Sequence, residues 1–229
     1  MVEDQDETRA EPIQPAHIAG SYYDFKSYIT KTRMLTFWHQ LDEVLATEPN
    51  TVLEVGIGPQ LVAGTLREFD IELTTVDINP VLRPDRLGSV ERLDQLTERD
   101  EFDTVLCARV LHHLPFSEFE RCVEQLARAA TGRVIITLPV DDARLYFAFR
   151  RTAGDYQVRS IAFPLWLKSL AAKAITRGDA RYRTLWKINS APDTTESNLR
   201  SILNRHCRID KWYQVPEDRS HAVIVLRPR

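Results

Sequence analysis

Residues 51–58 read TVLEVGIG, a short apolar run that ends in two glycines. A helical pattern follows over residues 64–69, and a second apolar run, IELTTVD, ends in Asp77. Strand, glycine turn, helix and strand form the unit from which doubly wound sheets are built. Glycine at such a turn tolerates positive φ and lets a nucleotide-type cofactor approach the backbone. Asp77 follows Gly58 by 19 residues, close to the ~20 typical of an acid that hydrogen-bonds ribose hydroxyls.

The alternation of strands and helices continues on both sides of this unit. Further strands are predicted over residues 102–110 and 132–139, and helices over the three ranges 33–45, 117–130 and 194–206. In the first helix we expect an inward stripe of Leu35, Trp38, Leu41, Val44 and Leu45. We expect Ser117 and Glu120 to form a capping box and Asp193 to be an N-cap.

The last two predicted strands cover residues 207–215 and 221–228. Their five-residue link favours an antiparallel hairpin. The pattern therefore predicts an α/β fold with a mostly parallel, Rossmann-like doubly wound sheet and a C-terminal antiparallel hairpin.

Composition limits the kind of protein. The hydrophobic share is 43% and the charged share 28%, as in soluble globular domains. Three widely spaced cysteines favour neither a zinc site nor a disulfide framework, so we expect no metal and a reducing, cytoplasmic location. We interpret residues 1–18 as a flexible acidic tail, unlike a signal peptide, and residues 19–229 as one domain.

Residues 141–190 interrupt the alternation. They contain ten Lys or Arg against four Asp, a net charge of +6, and eight aromatic residues. This basic aromatic insertion has three interpretations: a lid, a surface for an anionic acceptor, or a site of peripheral membrane contact. In the last, lipid would meet Phe163, Leu165, Trp166, Leu167 and Leu170 together with Lys168, Lys173 and Arg177. Nucleic acid is disfavoured, because no base-reading motif occurs and the rest of the chain is acidic.

The glycine turn also discriminates between cofactors. A dinucleotide fingerprint requires a third glycine at the position of Leu61, and no ATP phosphate loop occurs. An NAD-dependent oxidoreductase is therefore disfavoured. Glu54, two residues before the first glycine, can instead face a cation such as an amino group or a sulfonium.

Three motifs together resemble the class I S-adenosylmethionine-dependent methyltransferases of type 11. They are ExGxG at 54–58, VDINP at 76–80 and FDTVLCARVLHHLP at 102–115. The resemblance implies seven strands, with a short third strand near Val90. A further similarity to methyltransferases encoded with glycan-assembly enzymes lies in a helix from Tyr23 to Arg33, in Trp186-Lys187-Ile188, and in Pro216, Glu217 and His221.

The resemblance implies a role for each matching residue toward S-adenosylmethionine. Glu54, Gly56 and Gly58 would line its methionine part, and backbone at Cys107 and Ala108 would contact that part too. Asp77 would hold the ribose hydroxyls, while Ile78, Ser89 and Val90 would surround the adenine. The chain departs from the family at two positions, with Gln60 where glycine is frequent and Ser89 where an acid is frequent.

Methyl transfer from a sulfonium is an in-line displacement, so the protein mainly aligns the reactants and excludes water. A hydroxyl acceptor benefits from a base, whereas a carboxylate needs none. The candidate bases are His112, His113 and His221, and we predict that His113 or His221 meets the acceptor.

The function predicted from these features is methylation of a small molecule or glycan. The favoured reaction is O-methylation of a sugar hydroxyl or a uronate carboxylate, with a lipid-linked acceptor included. Methylation of a quinone or lipid-like metabolite is an alternative. An inactive, cofactor-binding protein is another, and Gln60 and Ser89 are its only support.

Overall fold

This computed structural model of the protein describes residues 23, 28–141, 144–152, 155–162, 184–216 and 219–229. The expected tail 1–18 and the expected lipid-facing residues 163–177 lie outside this range. The helices described are α1 (Lys31–Leu45), α2 (Leu61–Leu66), α3 (Phe119–Ala129) and α4 (Glu196–His206). The strands described are β1 (Thr51–Val55), β2 (Glu72–Asp77), β3 (Arg86–Leu87), β4 (Phe102–Ala108), β5 (Ala130–Pro139), β6 (Arg144–Thr152), β7 (Asp155–Ala162), β8 (Cys207–Gln214) and β9 (His221–Pro228).

Within the described residues, seven strands form one sheet in the order β3-β2-β1-β4-β5-β9-β8. The first five run parallel, and β9 is antiparallel to both β5 and β8. This confirms the predicted mostly parallel, Rossmann-like sheet with its C-terminal antiparallel hairpin. The strand order reverses beside β1, which places the carboxyl ends of β1 and β4 at a crevice where such sheets bind ligands.

Helices cover both faces of the sheet. On one face, Phe37 of α1 and Leu66 of α2 pack in a cluster with Leu106. On the other face, Phe119 of α3 and Leu199 of α4 pack with inward residues of the same strands. Because strand residues alternate between faces, a parallel strand covered on both sides contains a continuous apolar run, as β4 does from Val105 to Ala108.

The buried face of α1 differs from the predicted apolar stripe. Trp38 is 56% exposed, whereas the buried positions are Thr36, Phe37, Gln40, Glu43 and Val44. The prediction was confirmed for Val44, and Leu41 and Leu45 pack against the core, but it was wrong for Trp38. Glu43 can be buried because its charge is compensated. Lys211 Nζ donates to its carboxylate at 2.8 Å and Tyr213 Oη donates at 3.1 Å, so this acid can face the sheet.

Two predicted caps were also wrong. The turn Phe116–Glu118 is a 3-10 helix, and α3 begins after Glu118 without a side-chain cap. Glu120 bonds Arg205 of α4 at 2.8 Å instead of capping its own helix. In α4 the N-cap is Thr195 in place of Asp193, since Thr195 Oγ1 accepts from the N–H of Asn198 at 3.3 Å.

The third strand and the second helix are each displaced by about three residues from their predicted positions. β3 pairs with Val76 and Asp77 and ends at Leu87, so Val90 instead begins the 3-10 helix Val90–Gln95. Helix α2 begins at Leu61, directly after the glycine turn. Its early start depends on the left-handed backbone of Gln60, at φ 57°, which turns the chain into the helix.

In the interrupted region, β6 and β7 form an antiparallel pair outside the main sheet. The chain returns to the main sheet at Ile188, which forms a parallel bridge with Val140, the residue that follows β5. Across the stretches of chain that are described, we find no helix that is both long enough and apolar enough to cross a membrane.

Candidate functional site

A cavity of about 300 Å³ lies at the carboxyl ends of β1, β2 and β4. Nine residues were predicted to bind the cofactor, and eight of them line it. They are Glu54, Gly56, Gly58, Asp77, Ile78, Ser89, Val90 and Ala108. Cys107 is fully buried in the sheet and does not line the cavity. His112 and His113 line it as well, whereas His221 does not.

The glycine turn after β1 depends on glycine at two positions. Gly56 has φ 81° and Gly58 has φ 47°, both in the left-handed region. A Cβ at Gly56 would collide with the side chain of Val110, which packs directly against this glycine. Glycine at position 56 is therefore required both by the turn and by the packing of Val110.

Asp77 at the end of β2 is oriented by this turn. Its Oδ2 accepts from the N–H of Ile57 at 2.9 Å, and its Oδ1 accepts from the N–H of Asn79 at 2.8 Å. Burial raises the pKa of Asp77 above its usual value, while these N–H groups oppose the shift. The carboxylate lines the cavity at a fixed position, as hydrogen bonding to two vicinal hydroxyls requires.

The two departures from the family are accommodated locally. Gln60 adopts the left-handed conformation natural to glycine, and its Nε2 donates to the carbonyl of Leu82 at 2.7 Å. Ser89 caps the following 3-10 helix by accepting from the N–H of Glu91, and its Oγ donates to the Glu91 carboxylate at 3.0 Å.

Glu54 is the most unusual acid in the cavity. Its side chain is only 4% exposed, and its Oε2 has no hydrogen-bond partner among the described residues. Burial raises the pKa of Glu54 to about 8, with Asp77 adding to the shift and Arg67 and the Ala63 N–H opposing it. A buried carboxyl group with one unpaired oxygen suits a cationic ligand, because the positive charge of the ligand would stabilise the carboxylate.

Helix α1 contributes a side of the cavity that the sequence analysis missed. Gln40 is buried, lines the cavity and leaves its Nε2 without a partner among the described residues. Arg33 also lines the cavity, where its guanidinium lies 3.9 Å above the Tyr28 ring centroid. A usable signal was the spacing of Thr36, Gln40 and Glu43, polar residues that share one helical face.

A histidine pair and an arginine lie at the end of β4. The rings of His112 and His113 have centroids 4.0 Å apart. His112 is 4% exposed, and its Nδ1 has no partner among the described residues. Arg109 precedes the pair with φ 60°, a left-handed conformation that costs a non-glycine residue about 1–3 kcal/mol. Its N–H donates to the carbonyl of Thr137 at 3.0 Å.

The pKa of His112 lies well below its ordinary value. Burial is the largest cause, and the charges of His113, Arg109, His221 and Lys187 add to it. His221 begins β9, pairs with Pro139 and contacts Ser220 Oγ through its Nδ1 at 2.9 Å. It therefore lies beside the histidine pair but outside the cavity wall.

A comparison with protein families gives one match. A family model described as a methyltransferase domain matches residues 53–136, which hold the glycine turn, Asp77 and the histidine pair. This part of the chain is therefore similar to a methyltransferase domain. A comparison with curated protein sequences gave no significant match.

Several solved structures share the fold of this chain. A Pyrococcus horikoshii protein has a TM-score of 0.60 at 15% identity, over 91% of this chain and 99% of the other. The magnesium protoporphyrin IX methyltransferase of Synechocystis, solved with bound S-adenosylhomocysteine, has a TM-score of 0.56 at 16% identity, over 86% and 85%. The 1,6-didemethyltoxoflavin-N1-methyltransferase of Burkholderia thailandensis has a TM-score of 0.54 at 16% identity, over 91% and 84%.

The cofactor that this match implies is S-adenosylmethionine, since two structures of the Synechocystis protein were solved with S-adenosylmethionine or S-adenosylhomocysteine bound. The residues present fit it on two counts that are independent of the family. Glu54 has a buried carboxyl oxygen without a partner among the described residues, which suits a ligand carrying a sulfonium and an ammonium group. A Cβ at Gly58 would meet only the Tyr23 ring, at 3.8 Å, so the backbone there is open to close approach of a ligand.

Proposed function

We propose that this chain is an S-adenosylmethionine-dependent methyltransferase that transfers the methyl group to an oxygen atom of a small polar acceptor, a sugar hydroxyl or a uronate carboxylate. One observation carries the proposal: a single cavity joins the acids of the glycine turn to a histidine pair at the end of β4. A methyl donor bound at the glycine turn would therefore lie beside an acceptor bound at the histidine pair.

Within this proposal, each cofactor group has a partner in the cavity. Glu54 faces the amino group, while Gly56, Gly58 and Ala108 line the methionine portion. Asp77 holds the ribose hydroxyls. The adenine lies against Ile78 and Val90, with Ser89 at its edge. All of these residues line the cavity, and Cys107 would contribute only through its backbone.

The chemistry demands little of the protein. The bound cofactor supplies a methyl group that its sulfonium already activates. The residues of this chain then have to hold the acceptor in line and exclude water. Leu114 and Val110 line the same cavity near the histidine pair and provide apolar walls for that purpose.

His113 is the proposed contact with the acceptor. It lines the cavity, and its neighbour His112 is buried with a lowered pKa, so His112 is neutral near neutral pH. His221 was an equal candidate from sequence, but it lies outside the cavity wall. A lipid-linked acceptor and peripheral membrane contact depend on residues 163–177 and stay predictions.

Transfer of labelled methyl tests the proposed function. The purified enzyme is incubated with methyl-labelled S-adenosylmethionine and, in turn, with neutral sugars, uronates, primary amines and hydroquinones. We expect label on oxygen of a sugar or uronate, with the position fixed by mass spectrometry and NMR. Label on nitrogen, or on a hydroquinone alone, would overturn the proposal.

A further inference from the structure

The cavity is polarised along its length. Its cofactor end carries two acids, Glu54 and Asp77. At its other end, Arg109 and His113 line the cavity, and His221 and Lys187, which lie outside its lining, act with them on the charge of His112. The nearby acid Asp141 donates its backbone N–H to the carbonyl of Ile188 at 2.8 Å.

Three separate segments bring this basic cluster together. The first holds Arg109, which follows β4, and the histidine pair of the 3-10 helix Leu111–His113. Lys187 comes from the segment that rejoins the sheet, where the N–H of Leu185 donates to the carbonyl of His112 at 2.9 Å. His221 begins β9. Basic residues on a solvated helix face come from one segment, whereas these residues are brought together by the fold.

Arg109 is the member of the cluster held most firmly toward the cavity. It lines the cavity, and its backbone is held in the left-handed region at φ 60° by the bond to Thr137. Glycine or asparagine would adopt this conformation more easily. A strained residue that keeps a long cationic side chain at a cavity wall points to a role for that side chain.

We infer that Arg109 and His113, members of this basic cluster that line the cavity, bind a carboxylate of the acceptor, that Arg109 selects for it, and that the product is a methyl ester. The inference rests on the proposed function and chooses between its two acceptor classes. An arginine guanidinium suits the choice, because its planar donors match a carboxylate in two parallel hydrogen bonds.

The reaction balances without a proton transfer. One carboxylate oxygen forms the new bond to the methyl carbon as the bond from that carbon to sulfur breaks. The electron pair of the broken bond stays on sulfur, leaving a neutral thioether. A negative acceptor and a positive donor thus become two neutral products, which weakens the hold of Arg109 on the product.

The same surroundings are poorly suited to a hydroxyl acceptor. A hydroxyl must lose a proton, and the base that takes it becomes a cation. Burial, and to a smaller extent the neighbouring basic residues, lower the pKa of His112, so that its protonated form is disfavoured. A carboxylate is already ionised at neutral pH and needs no base.

Binding of a charged and a neutral sugar tests the inference without turnover. The probes are D-glucuronate, D-glucose and methyl D-glucuronate, each added to enzyme saturated with S-adenosylhomocysteine, with the unfolding midpoint as readout. We expect glucuronate alone to raise the midpoint, and Arg109→Gln to weaken its binding by about tenfold or more. Arg109→Lys should restore part of the loss.

Arg83→Gln is the matched control. Arg83 is also a left-handed arginine, at φ 53°, but it is exposed and does not line the cavity. It should bind glucuronate as the wild type does. Equal binding of glucose and glucuronate, or unchanged glucuronate binding in Arg109→Gln, would overturn the inference.

Base treatment of the labelled product separates this inference from the proposed function. A methyl ester releases its label as methanol in mild base, whereas a methyl ether does not. A base-stable label on a sugar oxygen would leave the proposed function in place and refute the carboxylate. If no oxygen acceptor is labelled, the proposed function itself fails.

Discussion

The two ends of the cavity differ in charge and in how the chain builds them. Glu54, Gly56 and Asp77 at the acid end come from one continuous strand-turn-helix-strand unit. At the basic end, Arg109, His113, Lys187 and His221 come from three separate segments. The acid end is therefore local and can be predicted from spacing, whereas the basic end depends on the tertiary structure.

Glu54→Gln gives the largest expected effect at the acid end. The pKa of Glu54 is raised from 4.5 to about 8 by burial, so the folded state holds a proton that the unfolded state releases. This contribution is fully present below pH 4.5 and is lost as the pH rises through 8. Above pH 8 the variant should exceed the wild type in free energy of unfolding by up to about 5 kcal/mol.

Urea unfolding of the ligand-free proteins across this pH range measures the difference. The exposed acid Glu72 at the start of β2 provides the control variant, Glu72→Gln. The Glu54 variant should also bind S-adenosylhomocysteine more weakly, so stability and binding change in opposite directions. If the free energy of unfolding had the same pH dependence in the wild type and in Glu54→Gln, the charge of Glu54 would already be balanced by other groups in the folded protein.

Asp77→Ala tests the other acid. With S-adenosylhomocysteine at ~100 times its dissociation constant, the wild type should gain about 2.7 kcal/mol, and the variant should gain almost nothing. Thermal unfolding should show this as a shift of roughly 5–10 °C in the wild type alone. NAD should stabilise neither protein.

Because Asp77 also holds the turn through Ile57 and Asn79, two further variants are needed. Asp77→Asn keeps an acceptor for one of these N–H groups and reports on the ribose contact with less damage to the turn. Asp94→Ala, on an acid that does not line the cavity, serves as control. If NAD alone stabilises the wild type, the assignment of this cavity to S-adenosylmethionine is wrong.

At the basic end, His113→Ala should lower kcat by about tenfold, or ~1.4 kcal/mol, because a residue that lines the cavity is removed. His221→Ala should change kcat less, since His221 lies outside the cavity wall. Steady-state kinetics with the acceptor found by methyl transfer gives both values. If His221→Ala lowered kcat more than His113→Ala, the acceptor would have to bind on the other side of the histidine pair, next to His221.

Gln60→Gly should have the smallest effect, within about 1 kcal/mol in stability. Glycine relieves the left-handed strain but loses the hydrogen bond to Leu82, and the two contributions nearly cancel. Gln60→Ala keeps the strain and loses the bond, so it should be the less stable variant. Unchanged S-adenosylhomocysteine binding in Gln60→Gly would confirm that this departure from the family is neutral for the acid end.

The sheet and the acid end could be predicted because their signals are local. Strand periodicity and glycine spacing fix β1, the turn and β2, and Asp77 follows at the expected distance. The third strand was placed too late because two residues, Arg86 and Leu87, carry too little pattern to locate a strand.

Errors at α1 and α3 have a tertiary cause. Trp38 was assigned to the buried face of α1 by its hydrophobicity. The buried face instead contains Glu43, because Lys211 and Tyr213, which are distant in sequence, donate hydrogen bonds to its carboxylate. Gln40 was missed for the same reason: a buried amide has a function only once a cavity is known to face it. Arg109 could not be selected from sequence, because its backbone strain is visible only in the structure.

The position of β9 has a consequence for the order of folding. Residues 140–220 separate β5 from β9, its hydrogen-bonded neighbour, so their pairing closes a long loop and forms late. Until residues 221–228 have been synthesised, the apolar strand Val134–Leu138 presents an open edge on a nascent chain whose cofactor half can already fold. That interval is when the nascent chain is most exposed to aggregation and most in need of a chaperone.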